Sequence, residues 1–433
     1  FKKIFMRNII LYIQKNDFSA FLLMLALASI TLGPLTWLAP VYPLAIMGGC
    51  AVVLCKGVKK ISLMILIFLS GCALSILLAD PLPVFKPWMR LSYFILLLTV
   101  FSPLLQSKKI NKFRINVFLW IMRLSIFIGL TSFFLYFMGI NYNKYVVFSD
   151  QQNSIFPTGS FSGLTIHSML LGPISGIAFV YMFYKILSSL LTWNNKLKKY
   201  ELLLIFTSLG SLFLSSSRGA LLSTMGATLY LIFLFFKHRP KQLVRILGCI
   251  ILLGCAIYPV SEYLFSGMIA KQQANVNSGG TFSSREKLWH DRKLEFLNSP
   301  IYGVGFASQR AISFSSSLKT GLIEPGTSYG AVFAMTGLLG GIPFLCLLFY
   351  NTFKNSSNQY CLRPVPVSPA QPILIFFLIH LIVEGYVLSA GSPLAAIFWC
   401  SLGAASAYRN KNCPAHMPVS YTHLRAHETR HDL

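Results

Sequence analysis

A single arginine interrupts a long apolar stretch of the sequence. The segment LFLSSSRGALLS covers residues 212–223, and Arg218 is the one charged residue between positions 202 and 236. Ser217 and Gly219 flank it with small side chains that would let a large ligand approach the backbone. If Arg218 opens a helix, its guanidinium joins unpaired backbone N–H groups and the positive end of the helix dipole, which together suit phosphate. The alternative is an interfacial arginine that extends to lipid headgroups.

A second arginine of this kind lies in TFSSREKLWHDRKLEFLNSP, residues 281–300. Ser283 as N-cap and Glu286 three residues later form a capping box, and the Asn-Ser-Pro sequence that begins at Asn298 ends the predicted helix. Arg285 is therefore expected in the first turn of a short helix.

Helical spacing places two cations and two aromatic rings of this helix on one stripe, formed by Arg285, Trp289, Arg292 and Phe296. This stripe predicts a surface that binds an anionic, partly apolar ligand. A solvated amphipathic helix resting on the membrane surface is the alternative. The YGVGF segment that follows, residues 302–306, is predicted to be a flexible glycine turn.

Two basic helix starts on the same face of a membrane would form a site for a polyanionic lipid headgroup. Pyrophosphate fits such a site better than a carboxylate does, because two guanidinium forks can share its charge.

Further ionisable residues occur inside a predicted span and in the long connection. His380 and Glu384 lie four residues apart in an apolar segment, and ionisable groups inside a membrane favour a functional hypothesis. The alternative is a polar pair that stabilises helix packing. His290 and Glu324 lie in the long connection at 261–325.

The composition shows what must hold these residues in place. The 433-residue chain is 55% hydrophobic and 11% charged, with a mean hydropathy of +0.64, which predicts an all-α, polytopic membrane protein. Hydropathy predicts twelve spans, at 18–35, 37–55, 61–79, 91–105, 115–138, 161–190, 201–216, 219–236, 246–260, 327–350, 371–391 and 393–408.

The net charge of +25 reports membrane topology and does not indicate nucleic-acid binding. Lys and Arg are concentrated in alternate connections between the spans, which is the positive-inside pattern. The pattern predicts that both termini are cytoplasmic. It also places Arg218 and the loop at 261–325 on the outer, periplasmic side.

The domain organisation follows from these spans. Residues 1–410 are predicted to form one transmembrane domain, and residues 411–433 a disordered tail. Residues 419–433 resemble a translated adapter sequence, and the start at Phe1 leads us to expect a fragment. The nine cysteines lack metal-ligand spacing, so we expect them to pack in the core and expect no metal or cofactor.

Several motifs resemble the O-antigen ligase and O-antigen polymerase-like superfamily of membrane glycosyltransferases. They are FSGLTIHSMLLGP at 161–173, SSSRGALLS at 215–223, SSREKLWHDRKLEFLNSPIYGVGF at 283–306, SYGAVFAMTGLLGG at 328–341 and EGYVLSAGSPLAAIFW at 384–399. The resemblance implies a GT-C-like fold with one large periplasmic loop.

The resemblance also implies a function. Such enzymes act on undecaprenyl-pyrophosphate-linked glycans at the outer face of the bacterial inner membrane, in surface polysaccharide and lipopolysaccharide synthesis, without a metal or a nucleotide sugar. It implies that Arg218 and Arg285 hold the donor pyrophosphate. With them we name Glu384 and His290 as catalytic candidates, and Ser217, Gly219, Trp289, Arg292 and Ser328 as candidates for binding the substrate. The general base is left open among His290, Glu324 and Glu384.

Two departures from the family pattern affect the subtype. Ligases carry a His-Asn pair where this chain has Gly326 and Thr327, and the Arg-x-x-Gly pattern reads Ser-Phe-Ser-Gly from Ser160. The missing histidine favours a repeat-unit polymerase over a ligase that transfers to lipid A core. A transporter of lipid-linked oligosaccharides and a non-catalytic partner in a polysaccharide-assembly complex are the alternatives from other classes. A transporter should show repeats and broken helices.

Overall fold

The structure is a computed structural model of the chain. It describes residues 18–142, 161–192, 198–237, 239–257, 284–310, 321–354 and 368–412, together with residues 269 and 273. The start of the chain, the predicted cap Ser283 and most of the tail lie outside the described residues.

Thirteen α-helices make up most of the described chain. They are α1 (Phe18–Thr31), α2 (Val41–Cys55), α3 (Leu63–Ala79), α4 (Pro87–Phe101), α5 (Lys108–Phe137), α6 (Ser168–Thr192), α7 (Lys199–Leu214), α8 (Arg218–Phe236), α9 (Pro240–Ile257), α10 (Ser284–Asn298), α11 (Ser328–Phe353), α12 (Ala370–Val383) and α13 (Pro393–Asn412). Two short 3-10 helices, Gly33–Leu38 and Pro83–Phe85, precede α2 and α4.

Each of the twelve predicted spans overlaps one of these helices, and α10 is the short helix predicted in the long connection. Within the described residues, five helices are long and apolar enough to cross a membrane by length and composition. They are Pro83–Phe101, Lys108–Phe137, Ser168–Leu190, Arg218–Phe236 and Ser328–Phe353. Four shorter apolar helices accompany them, so the number of membrane crossings stays a prediction. Helix α13 continues to Asn412, two residues into the predicted tail.

The outer surface of the bundle exposes large apolar side chains. Leu63, Leu77 and Phe206 are 63–69% exposed. Such an apolar surface is costly in water and is solvated by lipid tails. The bundle therefore presents the surface expected of a membrane protein.

The helices pack through aromatic rings and through close backbone contacts. Trp399 of α13 lies 6.2 Å from Phe68 of α3 and 5.7 Å from Phe94 of α4, measured between ring centroids. At Gly71 of α3, a Cβ would lie 2.6 Å from the carbonyl oxygen of Leu339 in α11. Small residues allow this approach, which is the usual way that helices associate in membranes.

Connections that the charge pattern places on one side of the membrane also contact each other. Strand β1 (Lys60–Ile61) pairs antiparallel with strand β2 (Leu105–Gln106), which joins two connections predicted to be cytoplasmic. At the other end, Leu32 forms an antiparallel bridge with Thr165, and both lie at the ends of spans that are predicted to face outside. The alternation of helices therefore agrees with the predicted topology.

Candidate active site

The turn that carries Arg218 connects two antiparallel helices. Helix α7 ends at Leu214, Ser216 adopts a left-handed backbone conformation (φ 51°), and Arg218 is the first residue of α8. The Arg218 side chain is exposed. It therefore has the position that the sequence predicted, at the start of a helix and at the surface of the bundle.

The small residues around Arg218 pack against neighbouring helices, and their role in admitting a ligand stays a prediction. Ser215 is buried and donates to the carbonyl oxygen of Leu212 at 2.7 Å. A Cβ on Gly219 would lie 2.6 Å from Cγ2 of Val383, so the missing side chain lets α8 and α12 approach. Ser217 is half-buried, and its Cβ would lie 2.5 Å from a Cβ on Gly172 of α6.

Helix α10 begins at Ser284 and ends at Asn298, as predicted. Arg285 is its second residue and therefore lies in the first turn. The backbone of Arg285 is described, while its side chain lies outside the described part of the structure. Of the remaining candidates on α10, His290 is exposed and Trp289 is half-buried.

The predicted binding stripe of α10 is instead largely an internal packing face. Arg292 is 2% exposed, its Nη1 lies 2.8 Å from Oε2 of Glu295, and its Nη2 donates to Oε1 of Gln309 at 3.0 Å. Phe296 packs edge-on against Phe333 of α11, with 5.8 Å between ring centroids. Glu295, one turn away on the same helix, and Gln309 supply partners for the buried Arg292 side chain. The Arg292 side chain is therefore bonded within the protein, and its assignment to substrate binding stays a prediction.

Burial governs the electrostatics of this ion pair. Desolvation lowers the pKa of the Arg292 guanidinium, against the opposing effect of the Glu295 charge. Desolvation also raises the pKa of the Glu295 carboxyl, against the attraction of Arg292 and a hydrogen bond from the backbone N–H of Arg310. Each charge depends on its partner because both lie away from water.

Glu384 does not share a helix face with His380 as predicted. Helix α12 ends at Val383, and Glu384 has extended backbone dihedrals (φ −131°, ψ 137°). His380 is fully buried, stacks on Phe376, and its Nδ1 lies 2.9 Å from Oη of Tyr386. The span predicted at 371–391 is thus shorter, and Glu384 belongs to the segment that follows the helix.

Ser328 joins α11 to the end of α12. Its backbone N–H and its hydroxyl both donate to the carbonyl oxygen of Glu384, at 3.0 and 2.6 Å. The Ser328 oxygen also accepts from the backbone N–H of Tyr386 at 3.1 Å. The side chain is fully buried, so the structure gives Ser328 a structural role, and its assignment to substrate binding stays a prediction.

The glycine turn predicted at 302–306 is present, and this segment fills a break in α11. Gly337 has non-helical dihedrals inside α11 (φ 60°, ψ −157°). The amides of Val304 and Gly305 donate to carbonyls before the break, and the amide of Leu338 donates to the carbonyl of Pro300 after it. The interrupted helix therefore recovers its backbone hydrogen bonds from the protein itself.

These contacts bring several of the candidates to one end of the bundle. Gly219 of α8 meets Val383, the last residue of α12, and the backbone of Glu384 bonds to the start of α11. Helix α10 packs on the same region, since a Cβ on Gly326 would lie 2.7 Å from Cβ of Leu288. The exposed Glu324 precedes this contact. Arg218, α10 and the base candidates therefore share one end of the molecule.

A cavity of about 610 Å³ opens at the same end. Its walls come from the starts of α2, α4 and α11 and from the segment after α12, including Tyr386. None of Arg218, His290 and Glu384 lines it, although Glu384 is two residues from Tyr386. The candidate site and the cavity are therefore neighbours separated by the end of α12. Sequence reasoning missed this cavity because residues distant along the chain form it.

In the described part of the chain, no three or more His, Cys, Asp or Glu side chains are placed to hold a metal ion. Metal independence of any reaction stays a prediction, since parts of the long connection lie outside the described residues.

Long apolar helices and an exposed apolar surface define the class as a multi-pass helical membrane protein. Residues 203–345 match the family model described as O-antigen ligase. This match confirms the predicted resemblance to the O-antigen ligase and polymerase-like superfamily. It covers the motifs at 215–223, 283–306 and 328–341, while the motifs at 161–173 and 384–399 lie outside it. No curated protein matches the chain.

The departure from the ligase pattern at Gly326 and Thr327 has a structural basis. Gly326 has a positive φ of 72° and packs against Leu288 without room for a Cβ. The hydroxyl of Thr327 donates to the carbonyl oxygen of Leu381 at 3.1 Å. Both residues therefore position α10 and α12, and neither offers a group that could take a proton from an acceptor.

Proposed function

We propose that the protein is a membrane glycosyltransferase that transfers a glycan from a polyprenyl-pyrophosphate-linked donor to an acceptor hydroxyl. The convergence of two basic helix starts, at α8 and α10, on one end of the bundle is the observation that carries this proposal. The match to the O-antigen ligase family over 203–345 agrees with it.

The proposed reaction exchanges one bond at the anomeric carbon of the donor glycan. The acceptor oxygen bonds to this carbon while the bond from the carbon to the pyrophosphate oxygen breaks, and the hydroxyl proton passes to a base. Arg218 and Arg285 would stabilise the charge that develops on the departing pyrophosphate. Donors placed at helix starts suit this role, because the backbone N–H groups add to the positive potential.

Glu384 is the base candidate best supported by position. It follows Val383, whose side chain contacts the backbone beside Arg218. His290 and Glu324 are exposed at the same end of the bundle and remain candidates.

A repeat-unit polymerase is our preferred subtype, because Gly326 and Thr327 replace the histidine and asparagine of the ligases. Transfer to lipid A core is the second candidate, favoured by the description of the matched family. Helix α11 is broken, as transporter helices often are, but the protein's own segment at 300–305 fills the break. This filling favours an enzyme over a transporter. We place the site on the periplasmic side of the inner membrane, where the enzymes that the chain resembles act on lipid-linked glycans.

Replacing either arginine should abolish transfer. We expect Arg218→Ala and Arg285→Ala to reduce polymer formation by about 10²-fold or more, the usual effect of removing a group that stabilises a transition-state charge. Arg239→Ala is a matched control, since Arg239 is an exposed arginine just before α9 at the other end of α8.

The measurement is the incubation of the purified full chain with lipid-linked repeat units, followed by electrophoresis of the products. A ladder of chain lengths indicates a polymerase, and a single transfer to lipid A core indicates a ligase. Wild-type product levels in both arginine variants would refute the proposed pyrophosphate site.

A further inference from the structure

The cavity beside the candidate site has an almost entirely apolar wall. Its lining includes Pro43 of α2, Met89 of α4, and Ile323 and Leu388 from the connections. Met89 and Leu322 are 60% and 71% exposed and lie at its rim. A volume of about 610 Å³ is within the range of small-molecule sites. Such a wall suits a hydrocarbon chain.

One charged group lines this cavity. Arg90 of α4 is half-buried, and its Nη2 donates to the carbonyl oxygen of Gly321 at 2.7 Å. A guanidinium has five N–H donors, and this is the one hydrogen bond that the Arg90 side chain makes to a described residue. No Asp or Glu of the described chain forms an ion pair with it. Arg90 therefore retains donors and a positive charge at an apolar cavity.

A tyrosine hydroxyl lies one helical turn from this arginine. Tyr93 also lines the cavity, and its Oη is buried without a hydrogen-bond partner among the described residues. Buried hydroxyls in proteins nearly always have a partner. Residues three apart on a helix are neighbours, so one ligand group can accept from both Arg90 and Tyr93.

We propose that this cavity is a binding site for a lipid phosphate, with the hydrocarbon chain against the apolar wall and the phosphate on Arg90 and Tyr93. A carboxylate would engage the guanidinium fork with both of its oxygens, whereas a phosphate has a further oxygen for the tyrosine hydroxyl. A lipid in the cavity and a pyrophosphate at Arg218 can be bound together, because the end of α12 separates the two positions.

The position of the cavity supports a lipid as the occupant. Every helix end that lines it belongs to the end of the bundle that the charge pattern assigns to the outer membrane surface. Lipid phosphates lie at this depth, between hydrocarbon and water. If the proposed glycosyl transfer is correct, the lipid bound in the cavity is the acceptor of that reaction. This acceptor role rests on the proposed function, whereas the lipid-phosphate site does not.

Binding of defined lipids to the purified full chain tests the site without any turnover. The probes are undecaprenyl phosphate, undecaprenol, phosphatidylglycerol and inorganic phosphate, and the method is native mass spectrometry or equilibrium binding. We expect Arg90→Gln to weaken the binding of a lipid phosphate about tenfold, and Tyr93→Phe to weaken it severalfold. Undecaprenol should bind more weakly than its phosphate and should be insensitive to both changes.

Matched variants separate the site from general effects on folding. Ser92→Ala changes an exposed hydroxyl next to Tyr93 and should leave binding unchanged. Ser389→Trp fills the cavity from its lining and should prevent binding, while Leu77→Trp adds the same ring to an exposed surface elsewhere. Measurements are repeated in the Arg218→Ala protein, so that lipid bound at the pyrophosphate site does not contribute.

The lipid probes decide the source of the phosphate. Selective binding of undecaprenyl phosphate supports the acceptor role, and selective binding of phosphatidylglycerol identifies a bilayer lipid and overturns that role. Equal affinity of wild type, Arg90→Gln and Ser389→Trp for every lipid phosphate would overturn the site itself, as would binding of inorganic phosphate alone. The binding measurement does not depend on polymer formation, so the lipid-phosphate site and the proposed glycosyl transfer can each be refuted separately.

Discussion

At the scale of single residues, burial separates arginines that the sequence presents alike. Arg218 and Arg292 both lie in motifs that resemble the family, yet Arg218 is exposed and Arg292 is 2% exposed beside Glu295. Arg114, counted among the cytoplasmic charges, is also buried and donates to the carbonyls of Thr99 and Val100 at the end of α4. The guanidinium groups of Arg292 and Arg114 bond to protein partners in the interior, so these two arginines stabilise the fold.

The ion pair on α10 gives a prediction for stability. Arg292→Met removes the counterion of buried Glu295 and should cost about 3–5 kcal/mol near neutral pH, because an isolated buried charge remains. Burial raises the pKa of Glu295 in the folded state, so the folded state binds its proton more readily than the unfolded state does. The stability gained from this preferential proton binding by Glu295 is present below its unfolded pKa of about 4.3. It is lost as pH rises through the pKa of Glu295 in the folded state.

The measurement is thermal unfolding of the purified variant at about pH 5 and pH 7.5. We expect the deficit of Arg292→Met to be smaller at the lower pH, where Glu295 can take up a proton. The double variant Arg292→Met/Glu295→Gln should lack this additional pH dependence. An identical deficit of the single variant at both pH values would contradict the prediction.

At the scale of elements, the decisive features are the places where helices stop. Helix α12 ends at Val383 and α11 breaks at Gly337, and segments from elsewhere in the chain bond to the backbone at both places. In a membrane an unsatisfied backbone group costs several kcal/mol, so such interruptions need partners within the protein. The connection that carries α10 is thereby fixed to the bundle at the candidate site.

Gly337→Ala should destabilise the protein and reduce its accumulation in membranes. The backbone at Gly337 is in a region that is accessible essentially to glycine alone, which costs another residue about 1–3 kcal/mol. A Cβ there would also clash with the carbonyl oxygen of Ile301. Gly48→Ala is the control, since no atom lies within 4 Å of a Cβ on that residue of α2. Equal thermal stability of the two variants would show that the break is not constrained.

The sequence predicts the helices well and the fine structure of the site poorly, for physical reasons. Hydropathy and capping signals are local, so α8 and α10 begin where they were expected. The inward rotation of Arg292, the end of α12 before Glu384 and the insertion at Gly337 depend on contacts between distant segments. Gly219 is an example, because a small residue leaves space for either a ligand or a neighbouring helix. In the structure the side chain of Val383 packs against Gly219.

At the scale of the whole molecule, the two ends of the bundle differ in what they contain. Strands β1 and β2 join two connections at one end, where Lys and Arg are abundant. The candidate site, α10 and the cavity occupy the other end. The positive-inside rule assigns the first end to the cytoplasm. The proposed substrates would then meet the protein at the outer surface of the membrane.

This orientation predicts which single cysteines a membrane-impermeant thiol reagent can reach. After replacement of the nine native cysteines, His290→Cys on α10 should react in intact spheroplasts, because the side chain is exposed at the end predicted to face outside. Lys109→Cys, exposed at the start of α5 at the opposite end, should react only after the membrane is permeabilised. The reverse labelling pattern would place the candidate site in the cytoplasm, where it could not meet lipid-linked glycans at the outer surface, and would contradict the proposed function together with the topology.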